Sequence, residues 1–297
     1  MSLLAEPMVS NAGERTLASQ WKAYLKVGFD KTARGTVLKT CDHKGPLYVQ
    51  KPFYPEGKEA AHVYLLHPPG GLVSGDELVI ESKQSTDTHV LITTPGAGRV
   101  YKARPDKTLQ RQTTLLNVAK GSVMEWLPQE TILYPDANTK LTNHIDLQGS
   151  ARFIGWEITC FGLPANQKDF NEGKADQRIQ INVDGRIRLR ERLLIDKQSL
   201  DLMSGQAGLQ ANPVNGVLIA GPFTEQSEAN DALMDTLQQA CRDMDGVSGA
   251  TLVGEFVVIR SLNTDSERMK NLFIQCWRLI RPALLGKAAC EPRIWST

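Results

Sequence analysis

His62-Val63-Tyr64-Leu65-Leu66-His67-Pro68-Pro69-Gly70-Gly71-Leu72-Val73-Ser74-Gly75-Asp76-Glu77-Leu78-Val79-Ile80 holds two short apolar runs divided by Pro, Gly and Asp. Runs this short, rich in β-branched residues and closed by turn formers, are strand text rather than helix text. The same alternation extends in both directions. Trp21 to Val27 sets apolar against polar residues with the period of a half-buried strand. Thr36-Val37-Leu38, Leu47-Tyr48-Val49, Val90-Leu91-Ile92-Thr93 and Ile179-Gln180-Ile181-Asn182-Val183 continue the series. Lys44-Gly45-Pro46 and Pro95-Gly96 punctuate it, and Asp184-Gly185 is the dipeptide of a two-residue hairpin. Short strands at a spacing of roughly ten residues predict a mainly β body, not βαβ units.

The C-terminal third changes period. Glu225 to Met244 puts Ala229, Leu233, Leu237, Ala240 and Met244 on one helical stripe. Thr264-Asp265-Ser266-Glu267 has the form of a capping box. A second helix follows it, carrying Met269, Leu272, Phe273, Cys276, Trp277 and Ile280, with Pro282 soon after. Between the two lies a buried-strand run from Leu252 to Ile259. Residues 1–19 are polar, small and aperiodic and read as a flexible leading segment. No repeat or linker divides the rest, so residues 20–297 read as one domain, with a β body to about 220 and a helix-containing part after it.

With 297 residues, 41% of them hydrophobic, the chain can bury a large core. Thirty-four Lys and Arg against 33 Asp and Glu leave a net charge of +1, which argues against nucleic acid or anionic lipid as partner. No basic stretch leads into an apolar one near the start, and no apolar run is long enough to span a bilayer. Cys41, Cys160, Cys241, Cys276 and Cys290 show no C-x-x-C spacing and read as reduced thiols of a cytoplasmic protein, most of them buried.

Enzyme templates fail one by one. Pro95-Gly96-Ala97-Gly98-Arg99 lacks the Lys-Ser/Thr and helix that a phosphate loop needs. Ser74-Gly75 and Ser204-Gly205 lack the frame of a nucleophile elbow. His43, His62, His67, His89 and His144 never fall three or four apart, and a regular strand puts His62 and His67 on opposite faces. What remains is a set of isolated carboxylates in apolar strand text: Asp76, Glu125, Glu157 and Glu191. A buried carboxylate must be paired or hydrated. Glu191, between Arg190 and Arg192, reads as a paired surface acid; Glu157, in Ile154-Gly155-Trp156-Glu157-Ile158, has no such neighbour.

Five blocks, in order, carry a resemblance. They are Gly45-Pro46-Leu47-Tyr48-Val49-Gln50-Lys51-Pro52-Phe53-Tyr54-Pro55-Glu56-Gly57, the stretch Leu65 to Leu78 with His67, Pro68, Pro69, Gly70, Gly71 and Gly75, then Thr93-Thr94-Pro95-Gly96-Ala97, Glu125-Trp126-Leu127-Pro128-Gln129-Glu130, and Pro292-Arg293-Ile294-Trp295-Ser296-Thr297. Together they resemble the UreD (also called UreH) family of urease accessory proteins. The resemblance implies a β-helix-like stack of short strands flanked by a pair of C-terminal amphipathic helices. It also implies a non-enzymatic scaffold that binds apo-urease and UreF, meets the GTPase UreG through UreF, and assists nickel delivery. No tightly bound cofactor is implied, only nickel in transit. Asp76, Glu157 and, less strongly, Glu191 fall at acidic positions of the family pattern and are the candidate lining of a nickel passage. Two departures stand out. Gly98-Arg99 replaces the usual hydroxyl-Lys pair, and Leu163 replaces an Arg that would be a natural counter-ion for a nearby acid.

Two other functions compete. A carbohydrate-active β-helix enzyme would need two carboxylates facing across a cleft. A β-rich ligand-binding module would need a deep, dry apolar pocket.

Overall fold

The computed structural model describes residues 21–223 and 227–296. The leading segment expected at 1–19, and the expected start of the first helix at Glu225, lie outside the described residues. The strands in chain order are β1 Lys22–Thr32, β2 Gly35–Lys44, β3 Tyr48–Val49, β4 Ala60–Leu66, β5 Glu77–Gln84, β6 His89–Thr93, β7 Gly98–Val100, β8 Gln110–Val118 and β9 Val123–Leu127. They continue as β10 Thr131–Leu133, β11 Asn138–Leu147, β12 Arg152–Phe161, β13 Lys174–Val183, β14 Arg186–Ile195 and β15 Val214–Gly221. Helix α1 (Glu228–Arg242), the hairpin β16 (Val247–Val253) and β17 (Phe256–Asn263), and helix α2 (Ser266–Leu285) complete the chain.

The expected stack is present. One sheet runs β14-β13-β11-β8-β5-β1-β2, the other β16-β17-β15-β12-β9-β6-β4-β3. From β4 to β13 the chain alternates between the sheets, and each arrival lies parallel to the one before: β5, β8, β11 and β13 in the first sheet, β4, β6, β9 and β12 in the second. A short third ladder, β7 to β10 to the end of β12, closes one side. Turns of the stack that lack ladder partners are satisfied by buried side chains. Gln110 donates to the Leu72 and Tyr101 carbonyls and accepts from the Asn138 amide. Antiparallel hairpins end the first sheet, and Asp184-Gly185 makes the β13–β14 turn with both residues at positive φ, 48° and 74°.

Burial separates the sheets. In the first, β11 alternates buried and half-buried residues because its outer face meets solvent. In the second, all five residues of β6 are buried. Its inner face joins the core between the sheets through Trp126, Phe153, Ile219 and Val258. Its outer face joins a second core through Leu127, Trp156, Ile158 and Ile259, covered by α1 and α2. Gly216 on β15 permits that contact, since a Cβ there would sit 2.3 Å from the Met269 sulfur and 2.9 Å from the Phe273 ring.

Several local expectations are corrected. Leu252 to Ile259 is not one buried strand but a hairpin turning at Gly254, with Leu252 exposed on the outer strand β16. Asp265, not Thr264, caps α2, its carboxylate accepting from the Glu267 and Arg268 amides. The helix runs through Pro282, because Leu284 and Leu285 pack on the second core and hold its last turn. On α1 the buried stripe is Leu233, Leu237, Ala240 and Cys241, while Ala229 is exposed. All five cysteines are free, but only Cys241 and Cys276 are buried; Cys41 lies on the part of edge strand β2 that nothing covers. No helix among the described residues is long and apolar enough to cross a membrane.

Candidate functional site

The period of β12 decides where Glu157 points. Trp156 and Ile158 face the helices, so Glu157 between them faces the space between the sheets. There its Oε1 accepts hydrogen bonds from Trp126 Nε1 on β9 and Asn143 Nδ2 on β11, each at 3.0 Å. Both donors are neutral. Burial pushes the carboxyl up to about 7, and the two hydrogen bonds hold it from going higher. Near neutral pH this acid therefore exists in both protonation states.

Two cavities share Glu157 and Leu141 as wall. One, of about 200 Å³, is bounded by Asn143, Gln177, Glu191, Arg192 and Arg260. The other, of about 220 Å³, is bounded by His67, Gly70, Pro95, Gly96, Arg99 and Gln129, with Trp126 in its wall. Glu157 thus stands where two hollows of the interior meet. Its remaining surface opens onto those hollows.

The other sequence candidates divide. Glu191 lines the first cavity with Glu157, but its partner is not a flanking arginine. Arg260 reaches it from β17 with Nε 3.3 Å from Oε2 and Nη2 on Oε1, so the pair ties the rim of one sheet to the other. Asp76 is buried at the end of the loop after β4, where its Oδ2 accepts from the Val73 amide at 2.9 Å. It does not line either cavity; it fastens the loop that presents His67 and Gly70. Burial lowers the His67 imidazole below its ordinary value, opposed by the charge of Asp76. Gly71 fits because a Cβ would lie 2.6 Å from the Arg99 carbonyl oxygen. Gly75 turns the loop at φ 92°, and Pro68 and Pro69 are exposed on it. Gln129 accepts from Lys270 Nζ at 3.1 Å. Trp295 packs on Trp156 and Trp277 and donates to Thr93 Oγ1 at 2.8 Å, while Arg293 is exposed. Leu163 makes a bridge with Lys168 in the turn beyond β12, and no guanidinium bonds Glu157 among the described residues.

Sequence reasoning missed a second buried cluster. Glu125 on β9 points the other way from Trp126, into the second core. It accepts from Trp277 Nε1 at 2.6 Å and from Arg281 Nε at 3.1 Å on both oxygens, and its Oε1 lies 2.6 Å from His89 Nε2. Arg281, fully buried, donates through Nη2 to Glu56 at 2.6 Å and through Nη1 to the Ala288 carbonyl. Glu56 also lies 2.7 Å from His62 Nε2. Burial would raise both acids. Hydrogen bonds from His89 to Glu125 and from His62 to Glu56, with Arg281 beside both, outweigh it: Glu125 is lowered and Glu56 falls to about 2. His62 is thereby a core residue, whereas His67 borders the second cavity, as their parity predicts. Only the Trp277–Arg281 spacing on one helix hinted at this cluster.

Among the described residues, no three His, Cys, Asp or Glu side chains converge as metal ligands. The cavity at Glu191 has no aromatic wall on which a sugar ring could stack.

The family model described as UreD urease accessory protein matches residues 22–296. A protein of Marinomonas sp. (strain MWYL1), named urease accessory protein UreD, is 63% identical over 94% of this chain and 91% of its own length. Proteins of the same name from Alcanivorax borkumensis and Citrobacter koseri are 40% and 36% identical, each over 97% of this chain and 96% of their own. The chain belongs to the UreD family of urease accessory proteins.

Proposed function

We propose that this protein is a non-enzymatic cytoplasmic scaffold that docks on apo-urease with UreF and, through UreF, receives nickel released by UreG. Nickel passes through the interior between the two sheets, and Glu157 is the acid it meets where the cavities join. The single observation supporting the passage is that junction: one carboxylate, bonded on one oxygen only by neutral donors, bordering both hollows. Oxygen and imidazole groups suit brief exchange of a divalent ion better than a closed tetrahedral site. Glu191 and His67 stand toward opposite ends of such a route. Asp76 serves it indirectly, by holding the His67 loop.

The test is a pull-down of apo-urease and UreF with the wild-type chain or Glu157→Gln, followed by nickel analysis of the recovered urease. Equal recovery of partners with several-fold less nickel for Glu157→Gln is the expected result. Equal nickel loading overturns the passage and leaves the scaffold. Failure of the wild-type chain to recover urease or UreF overturns the scaffold.

A further inference from the structure

The outer face of the first sheet carries a groove of about 380 Å³ that the helices do not cover and that shares Arg178, Glu191 and Arg192 with the rim of the first cavity. Lys140 and His144 on β11, Arg178 and Gln180 on β13, and Arg190 and Arg192 on β14 border it. Four cationic side chains therefore meet Asp176, which Arg178 and Arg192 share, and at the rim Glu191, whose charge Arg260 already takes. In a chain of net charge +1, this is a local excess.

Charge on a solvated strand face is ordinary; the arrangement of these arginines is not. Asp176, buried beneath them, accepts from Arg178 Nε at 3.0 Å and Nη2 at 2.6 Å, and from Arg192 Nε at 3.0 Å and Nη2 at 3.4 Å. Arg190 Nε donates to Gln180 Oε1 at 3.0 Å. Each guanidinium is thus held by its Nε edge, which leaves its Nη1 donors directed away from the bond that fixes it. Fixed guanidinium forks match carboxylates in pairs and lose little entropy on binding them. Lys140 on β11 stands directly across from Asp176 and adds a fourth charge to the groove.

We propose that this groove binds an acidic segment of a partner protein, its carboxylates seated on the Nη groups of Arg178, Arg190 and Arg192 with Lys140 alongside. An extended segment is favoured over a single small anion, because the cationic groups are spread over three strands and the hollow exceeds the volume of one phosphate. The inference goes beyond the nickel route and stands even if the interior carries no metal.

The full chain is titrated against a short fluorescein-labelled peptide of alternating glutamate and serine, read by fluorescence anisotropy. Binding is expected, weakening as salt rises. Arg190→Glu is expected to weaken it by about tenfold or more. Arg190 bonds Gln180 and not Asp176, so the thermal melt of Arg190→Glu should match the wild type. Lys140 lies across from Asp176, so Lys140→Gln, which adds no second carboxylate there, should weaken binding with an unchanged melt. Lys39→Glu on β2, the same charge change at the far end of the sheet, should leave binding unchanged. Absence of peptide binding, or equal loss in all three variants, overturns the proposal. So does displacement of the peptide by equimolar inorganic phosphate at constant ionic strength, which would make the groove a phosphate site.

Discussion

Glu125 and Glu157 sit on neighbouring strands of one sheet, and the structure treats them in opposite ways. Glu125, on the helix-facing side of β9, meets a guanidinium, an imidazole and an indole N–H, and its pKa is lowered. Glu157, on the inner side of β12, meets two neutral N–H donors and two hollows, and its pKa rises to about 7. Glu125 is fully buried and Glu157 half-buried, but exposure alone does not set the direction of the two shifts. What sets it is whether the surroundings were completed. The Glu125 cluster spends its donors on holding α2 against the β body, which is what a structural acid does. Glu157 keeps an oxygen without a protein partner, which is what the proposed passage asks of it.

The comparison breaks most violently at Arg281. Arg281→Met should lower unfolding free energy by about 3–5 kcal/mol, because it strands both Glu125 and Glu56 in the core without a counter-ion. Urea unfolding at neutral pH measures it. A loss under about 1 kcal/mol would mean the cluster is hydrated rather than paired.

A smaller effect of opposite sign is expected at Glu157. Its folded pKa lies above the ordinary 4.5, so the folded state holds the proton more tightly than the unfolded chain. The stability this contributes is complete below about pH 4.5 and is lost as the pH rises through about 7. Glu157→Gln keeps an acceptor for Trp126 and Asn143 and removes the ionisation. It should therefore leave stability unchanged at pH 4 and raise it by on the order of 2–3 kcal/mol at pH 8. Glu125 and Glu56 run the other way: what they contribute is present above about pH 4.5 and is lost as the pH falls through their depressed values, near 2 for Glu56. Melting temperature against pH for the wild type and the variant separates the two.

How much of this was written in the chain depends on the range of the interaction. The alternation in β11 and the Asp184-Gly185 turn are local, and both read directly. The stack was legible only through the UreD resemblance, because its period lies in hydrogen bonding between strands and not in repeated residues. The apolar text of Phe256 to Ile259 is dense because helices cover the second sheet's outer face, which no single strand announces. Glu157 could be suspected from its apolar neighbours. The pairing of Glu125 with Arg281, and of Glu191 with Arg260, joins residues far apart in sequence, so spacing carried no trace of either. For Glu191 local text misled: Arg192 flanks it in sequence, but alternation turns the two side chains to opposite faces, and Arg192 serves Asp176.

The smallest effect belongs to that Glu191–Arg260 pair, which sharpens the comparison by supplying a third kind of carboxylate. Its side chains are 25% and 49% exposed, so water screens the charges and both ends retain hydration. A double-mutant cycle of Glu191→Gln and Arg260→Gln should give a coupling of only about 0.2–1 kcal/mol, fading in high salt. Weak coupling fits a solvated rim contact that the fold does not depend on. A coupling above about 2 kcal/mol, insensitive to salt, would place Glu191 with Glu125 as a fastener of the fold. It would then leave Glu157 as the one of these three acids without a charged partner.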